Sequence, residues 1–176
     1  MAEEGKSYTI HKSKKSQSDR FMEARESLRR ALESTSHRLE KVAAIDDVEF
    51  VSDTRSTDLL STRDTFKCVL RPIVWIAGTT SHERDYSLLE KYVKYKVKNI
   101  ILYGGNGEDM RQKLDGYVDS FHIEDGLEAA VALAFEKSSP GDAVIYSPSC
   151  AAVDDFLDFS DRGSAFKRIV KQLEQA

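Results

Sequence analysis

Between Arg20 and Ser34 the apolar residues Phe21, Ala24, Leu28, Ala31 and Leu32 recur at helical spacing. The pattern predicts a helix capped by Ser16 or Ser18 and ended at Ser34-Thr35-Ser36. Two strand-like runs follow, Lys41 to Ile45 and Val48 to Ser52, and Asp46-Asp47 between them predicts a hairpin. From Thr57 onward the periodicity alternates. Helices are predicted over 57–69, 87–95, 108–114 and 127–136, and strands over 73–77, 97–103, 120–123 and 143–147. Helices over 150–157 and 162–174 close the pattern, the last with one apolar stripe of Phe166, Ile169, Val170 and Leu173. Strands rich in Val and Ile that do not alternate, separated by helices of about ten residues, indicate βαβ crossovers. The predicted fold is therefore α/β: a single Rossmann-like domain, its mostly parallel sheet covered by helices on both faces, with a leading β-hairpin and an added N-terminal helix. The chain divides into a flexible polar tail (1–19), that helix (20–36) and the α/β domain (37–176).

Composition narrows the function classes. The chain has 176 residues, 40% hydrophobic and 32% charged, which suits one domain with an ordinary core. A net charge of −4 gives no reason to expect nucleic acid or an anionic membrane as a partner. The longest apolar run, Pro72 to Gly78, is too short to span a bilayer, and Met1 to Gly5 has no apolar signal segment. A cytoplasmic location is the expectation. Cys68 and Cys150 form neither a disulfide framework nor a metal site by spacing.

Ligands of open α/β sheets gather at the carboxyl ends of the strands. Three predicted loops meet there: Gly78 to Asp85, Gly104-Gly105-Asn106-Gly107, and Ser147 to Cys150. The glycine turn suits either an ordinary strand-to-helix connection or backbone N–H groups facing a phosphate, and the full dinucleotide fingerprint is missing. Gly5-Lys6-Ser7 lacks the upstream glycine and strand of a phosphate-binding loop. His82 beside Glu83 and Asp85 has no second histidine at ligand spacing and reads as a solvated loop residue. Cys150, placed by the pattern at a helix N-terminus, lacks an evident base partner and reads as a buried small residue.

Several motifs fall in a telling order: Ser27 to Leu32, His37-Arg38-Leu39-Glu40, Val51 to Asp58, Pro72 to Gly78, Asp85 to Leu89, and Ser147 to Phe156 followed by Phe159-Ser160-Asp161-Arg162-Gly163. Together, over roughly residues 24–174, they resemble the C-terminal domain of the Mur ligases that add D-glutamate to UDP-N-acetylmuramoyl-L-alanine. The resemblance implies that Arg38 and Asp53 occupy nucleotide-contacting positions, with Arg55 where the family has a lysine. It implies that Thr57, His82, Ala152, Val153 and Phe159 occupy the amino-acid pocket. Besides Arg55, three positions in the matched segment depart from the family pattern. His82 replaces a lysine that receives the substrate carboxylate, Ala152 replaces a serine that bonds the same substrate, and Asp58 replaces an asparagine. Two lost charge-assisted contacts at about 1.5–3 kcal/mol each weaken such binding roughly a hundredfold or more.

The resemblance makes the helix ending Ser27 to Leu32 similar to the last helix of the family's central domain; the ATP-binding machinery of that domain and the UDP-binding N-terminal domain fall outside the matched segment. The expectation is a domain that is inactive alone, an interaction or regulatory module with no bound cofactor, using ATP and Mg²⁺ only if a partner domain completes it. Two alternatives stay open: the substrate-binding part of a split ligase, and a sensor for a nucleotide or amino acid. The partners implied are a protein or a second copy docking through the N-terminal helix, and a small anionic ligand at the strand ends.

Overall fold

The computed structural model describes residues 15–79, 84–105, 107–152 and 156–175. It opens with helix α1 (Gln17–Glu33), which starts inside the segment allotted to the polar tail; residues 1–14 lie outside the description. Ser16 explains that start. Its hydroxyl accepts from Asp19 N while the Asp19 carboxylate accepts from Ser16 N, a reciprocal capping box. The hairpin follows as β1 (Glu40–Ile45) and β2 (Val48–Ser52), antiparallel, with Asp46 and Asp47 at φ of 50° and 60°. Two successive left-handed residues match the right-handed twist of the flanking strands.

The alternating part runs α2 (Leu59–Cys68), β3 (Ile73–Gly78), α3 (Ser87–Lys96), β4 (Val97–Tyr103), α4 (Glu108–Leu114), β5 (Ser120–Glu124), α5 (Leu127–Glu136), β6 (Ala143–Tyr146) and α6 (Phe159–Glu174). The six strands form one sheet in the order β1-β2-β6-β3-β4-β5, parallel throughout except for β1. Residues of β3 alternate between its two faces. Ile73, Trp75 and Ala77 enter one core with α1, α2 and α3, and Val74 and Ile76 enter another with α5 and α6. The sheet is thus sandwiched as its unbroken apolar strands require. The stripe on α6 packs as the periodicity predicts, with Phe166 and Val170 fully buried.

The helix predicted over 150–157 does not form in its described residues: Cys150 to Ala152 and Phe156 to Asp158 are non-helical, and 153–155 lie outside the description. The backbone there is spent on tertiary partners. Ser149, at φ 58°, donates its N–H to Ser56 O, and Cys150 O accepts from Arg162. The helical signal belongs instead to α6, which starts at Phe159 because Asp158 caps the N–H groups of Ser160 and Asp161.

Helix α1 rests on α2 and buries no residue completely. Leu28 and Leu32 pack partly against the core, while Phe21 stays 69% exposed. Phe166→Ala should therefore cost about 3–5 kcal/mol in urea denaturation, and Phe21→Ala less than about 0.5 kcal/mol. A large loss at Phe21 would mean that α1 is buried against something.

Candidate functional site

The reversal of strand order puts the ends of β2, β6 and β3 side by side, and their loops converge. Gly78 N donates to Pro148 O at 3.0 Å, Ser149 N donates to Ser56 O at 2.9 Å, and Thr79 Oγ1 donates to Gly104 O. At the centre lies Asp53, fully buried just past the end of β2. Its Oδ2 accepts the hydroxyls of Ser56, Thr65 (2.7 Å) and Ser147 (2.7 Å), and its Oδ1 accepts Leu39 N at 3.2 Å. Since Ser147 aims its own proton at Asp53, Thr62 Oγ1 is the donor in their 2.9 Å contact. Burial holds the Asp53 carboxyl above its ordinary range, and Arg38 with the three hydroxyls offsets only part of that shift.

Arg38 reaches this carboxylate from the junction between α1 and β1. Its Nε lies 3.8 Å from Asp53 Oδ1, and its other nitrogens donate to Ser56 Oγ and Ser61 O. The side chain is 11% exposed. Arg55, by contrast, is exposed, and its guanidinium lies 4.9 Å from the centre of the half-buried Phe159 ring, a cation–π contact. Thr57 is exposed one residue before Asp58, and Ala152 is half-buried. Asp58 caps α2 by accepting Ser61 N at 2.8 Å, a task asparagine and aspartate perform about equally. His82 and Val153 lie outside the described residues. The expected site therefore resolves into two neighbouring groups, a buried Arg38–Ser56–Asp53 chain and an open Arg55–Phe159 surface.

Three participants have no role in the sequence reading. Arg162, 1% exposed on α6, donates through Nη2 to both Thr54 O (2.9 Å) and Cys150 O (2.7 Å), joining the loops after β2 and β6. Gly163 lets α6 approach; a Cβ there would stand 2.3 Å from His37 Nδ1 and 2.6 Å from Thr54 Oγ1. His37 is buried at φ 61°, edge-on to Phe159, with Nδ1 unpartnered among the described residues. The signal that could have found them is the glycine beside a cation, Arg162-Gly163, inside a helical pattern.

Cys150 is buried, and burial raises its thiol above the ordinary range despite the proximity of Arg162. The 104–107 turn leads into a helix of only two turns whose first residues are Glu108 and Asp109, which disfavour an anion there. Gly107 itself, at φ 54°, is fixed by packing, since a Cβ would strike Leu102 Cδ2 at 1.8 Å. Among the described residues no group of three or more His, Cys, Asp or Glu could hold a metal ion, and no helix is long and apolar enough to cross a membrane.

Fold and cluster together define a Rossmann-like α/β domain whose polar residues are concentrated at a switch in strand order. The UDP-N-acetylmuramoylalanine–D-glutamate ligase of Porphyromonas gingivalis is 32% identical over 151 residues, covering 84% of this chain and 34% of that protein. Its counterpart in Salinibacter ruber is 33% identical over 149 residues, with 85% and 32% covered. That of Hahella chejuensis is 38% identical over 142 residues, with 78% and 31% covered. The chain carries a Mur ligase C-terminal domain of the kind found in the D-glutamate-adding enzymes, and it spans about a third of the length of these relatives. No family model matches it. A Haemophilus ducreyi domain assigned to a UDP-N-acetylmuramate:L-alanyl-gamma-D-glutamyl-diaminopimelate ligase aligns over 78% of this chain and 98% of its own, at 12% identity and a TM-score of 0.47; nothing further follows at that distance.

Gly163→Ala should destabilise the domain although alanine favours helices by about 1 kcal/mol over glycine, because His37 and Thr54 must move. A raised melting temperature would contradict the close approach. His37 supplies a pH test. Burial first, then Lys167 and Arg55, hold its pKa below the ordinary value of about 6.5, against the pull of Glu40 and Asp158. The unfolded chain thus binds the proton first, so this contribution to stability is present above about pH 6.5 and is lost as pH falls toward the folded value. His37→Asn, which tolerates the positive φ, should flatten that acid limb of the melting profile. An unchanged profile would assign the limb to other groups.

Proposed function

We propose that this domain serves as an interaction or regulatory module of Mur ligase type and carries out no bond-forming step by itself. The observation that carries the reading is the internal commitment of Asp53 and Arg38. The carboxylate is fully buried with both oxygens engaged, and the guanidinium is spent on Ser56, Ser61 and Asp53. Residues so occupied hold loops together and have little left to offer a nucleotide. Phosphoryl transfer also needs a phosphate cradle and Mg²⁺ ligands, which the resemblance assigns to a different domain. The changes at His82 and Ala152 further weaken an inherited grip on an amino-acid carboxylate.

A second reading rests on the open surface. Arg55, lying over the half-buried Phe159 ring, and exposed Thr57 close in sequence present a cation and a hydroxyl to solvent. That surface suits an anionic amino acid or nucleotide group, held for a ligase whose ATP-binding domain comes from elsewhere.

Thermal-shift titration separates the readings. A ligand at about a hundred times its dissociation constant stabilises a receptor by about 2.7 kcal/mol, several degrees of melting temperature for a domain of this size. ATP·Mg²⁺, ADP, D-glutamate and UDP-N-acetylmuramoyl-L-alanine should each leave the melting temperature unchanged. A shift that Arg55→Ala abolishes would overturn the module reading in favour of the second.

A further inference from the structure

A separate feature lies at the opposite end of the domain, where α2 and α3 finish. Helix α1 lies over this region without filling it, leaving a groove between α1, the end of α2 and the second half of α3. Phe21, Leu70 and Tyr95 rim it at 69%, 73% and 73% exposure, with Leu28, Val69 and Tyr92 half-buried along its floor. Three large apolar side chains this exposed around one groove mark a surface that a partner covers.

The charges lining the groove have one sign. Arg25, Lys67, Lys91 and Lys96 contribute, and no carboxylate does. Two of the four are already occupied: Lys96 donates to Phe66 O and Val69 O at the end of α2, and Lys67 pairs with Asp64, which Arg63 shares. Arg25 and Lys91 make no ion pair among the described residues and so carry the unbalanced charge.

These features select among occupants. A symmetric dimer places the same patch on both partners, so a second copy centred here would set these cations against their own images. The walls are helices whose backbones are already hydrogen-bonded, so a bound segment must satisfy its own backbone, as a helix does. We propose that the groove docks an acidic amphipathic helix of another protein. Its apolar residues at i, i+3 or i+4 and i+7 lie between Phe21, Leu70 and Tyr95, and its Asp or Glu residues face Arg25 and Lys91. The proposal rests on the interaction-module reading and names its partner by chemistry.

Selection of random sixteen-residue peptides displayed on phage, with the full chain as bait, tests it. The enriched sequences should carry apolar residues at helical spacing flanked by Asp or Glu. A synthetic consensus peptide should lose at least about tenfold in affinity on the Arg25→Glu, Lys91→Glu double variant, as two opposed charges near a surface imply. Neither residue supports the fold through an ion pair, and an unchanged melting temperature of the variant confirms that the loss is local. A basic or neutral consensus, or acidic peptides indifferent to the double variant, would overturn the acidic partner. Concentration-dependent dimerisation in sedimentation that Phe21→Ser abolishes would overturn it in favour of a second copy, and binding to phosphatidylserine vesicles without peptide enrichment in favour of a membrane. The failures are distinguishable: a response to ATP·Mg²⁺ removes the module reading, whereas a neutral or basic consensus removes only this choice of partner.

Discussion

One buried carboxylate organises the carboxyl-terminal end of the sheet. Asp53 ties the loop after β2 to α2 through Thr65, to β6 through Ser147, and to the α1–β1 junction through Leu39 N and Arg38. A carboxylate out of water is costly unless its lone pairs are filled, and removing one partner of such a buried ionic group typically costs about 3–5 kcal/mol. Each donor is therefore constrained by the others. Ser56 shows this most directly, since its hydroxyl donates to Asp53 while accepting from Arg38, so a shift in either moves both.

Around that hub the remaining contacts bring α6 into place. Arg162 bridges Thr54 O and Cys150 O, Thr54 Oγ1 donates to Phe159 O at 2.8 Å, and Gly163 leaves room for His37. The Arg55–Phe159 surface is thus an outer layer on a bonded inner one.

The alternation of apolar strands and helices was legible in the sequence because a parallel sheet covered on both faces imposes unbroken apolar strands, as at Ile73 to Ala77. The hairpin was legible because Asp-Asp tolerates two left-handed residues in succession. The stretch 150–157 misled because its apolar spacing imitates a helix, whereas Arg162 claims Cys150 O and Ser56 O holds the N–H of Ser149 just before it. The site shows the same limit. Family motifs locate Arg38, Asp53 and Arg55, but only packing shows that the first two face inward and the third outward. That distinction depends on Ser147 and Thr65, whose hydroxyls carry no local signal.

The two ends of the domain are built on opposite terms. At the strand carboxyl ends, Asp53 and Arg38 are engaged with the hydroxyls of Ser56, Thr65 and Ser147 and with backbone groups of Leu39 and Ser61. At the other end the helices α2 and α3 carry lysines in their last turns, and Lys96 alone caps the carbonyls of Phe66 and Val69. Such capping explains one cation but not Arg25, which comes from α1, nor exposed apolar rings beside it. An α1 whose only duty was to cover the core would turn Phe21 inward with Leu28 and Leu32. Instead its first two turns, Gln17 to Ala24, leave Phe21 and Met22 69% and 48% exposed, while a capping box keeps that end helical. Holding an uncovered apolar face in order costs free energy that a bound partner would offset, which is why the proposed docking site is placed at this groove and not at the strand carboxyl ends.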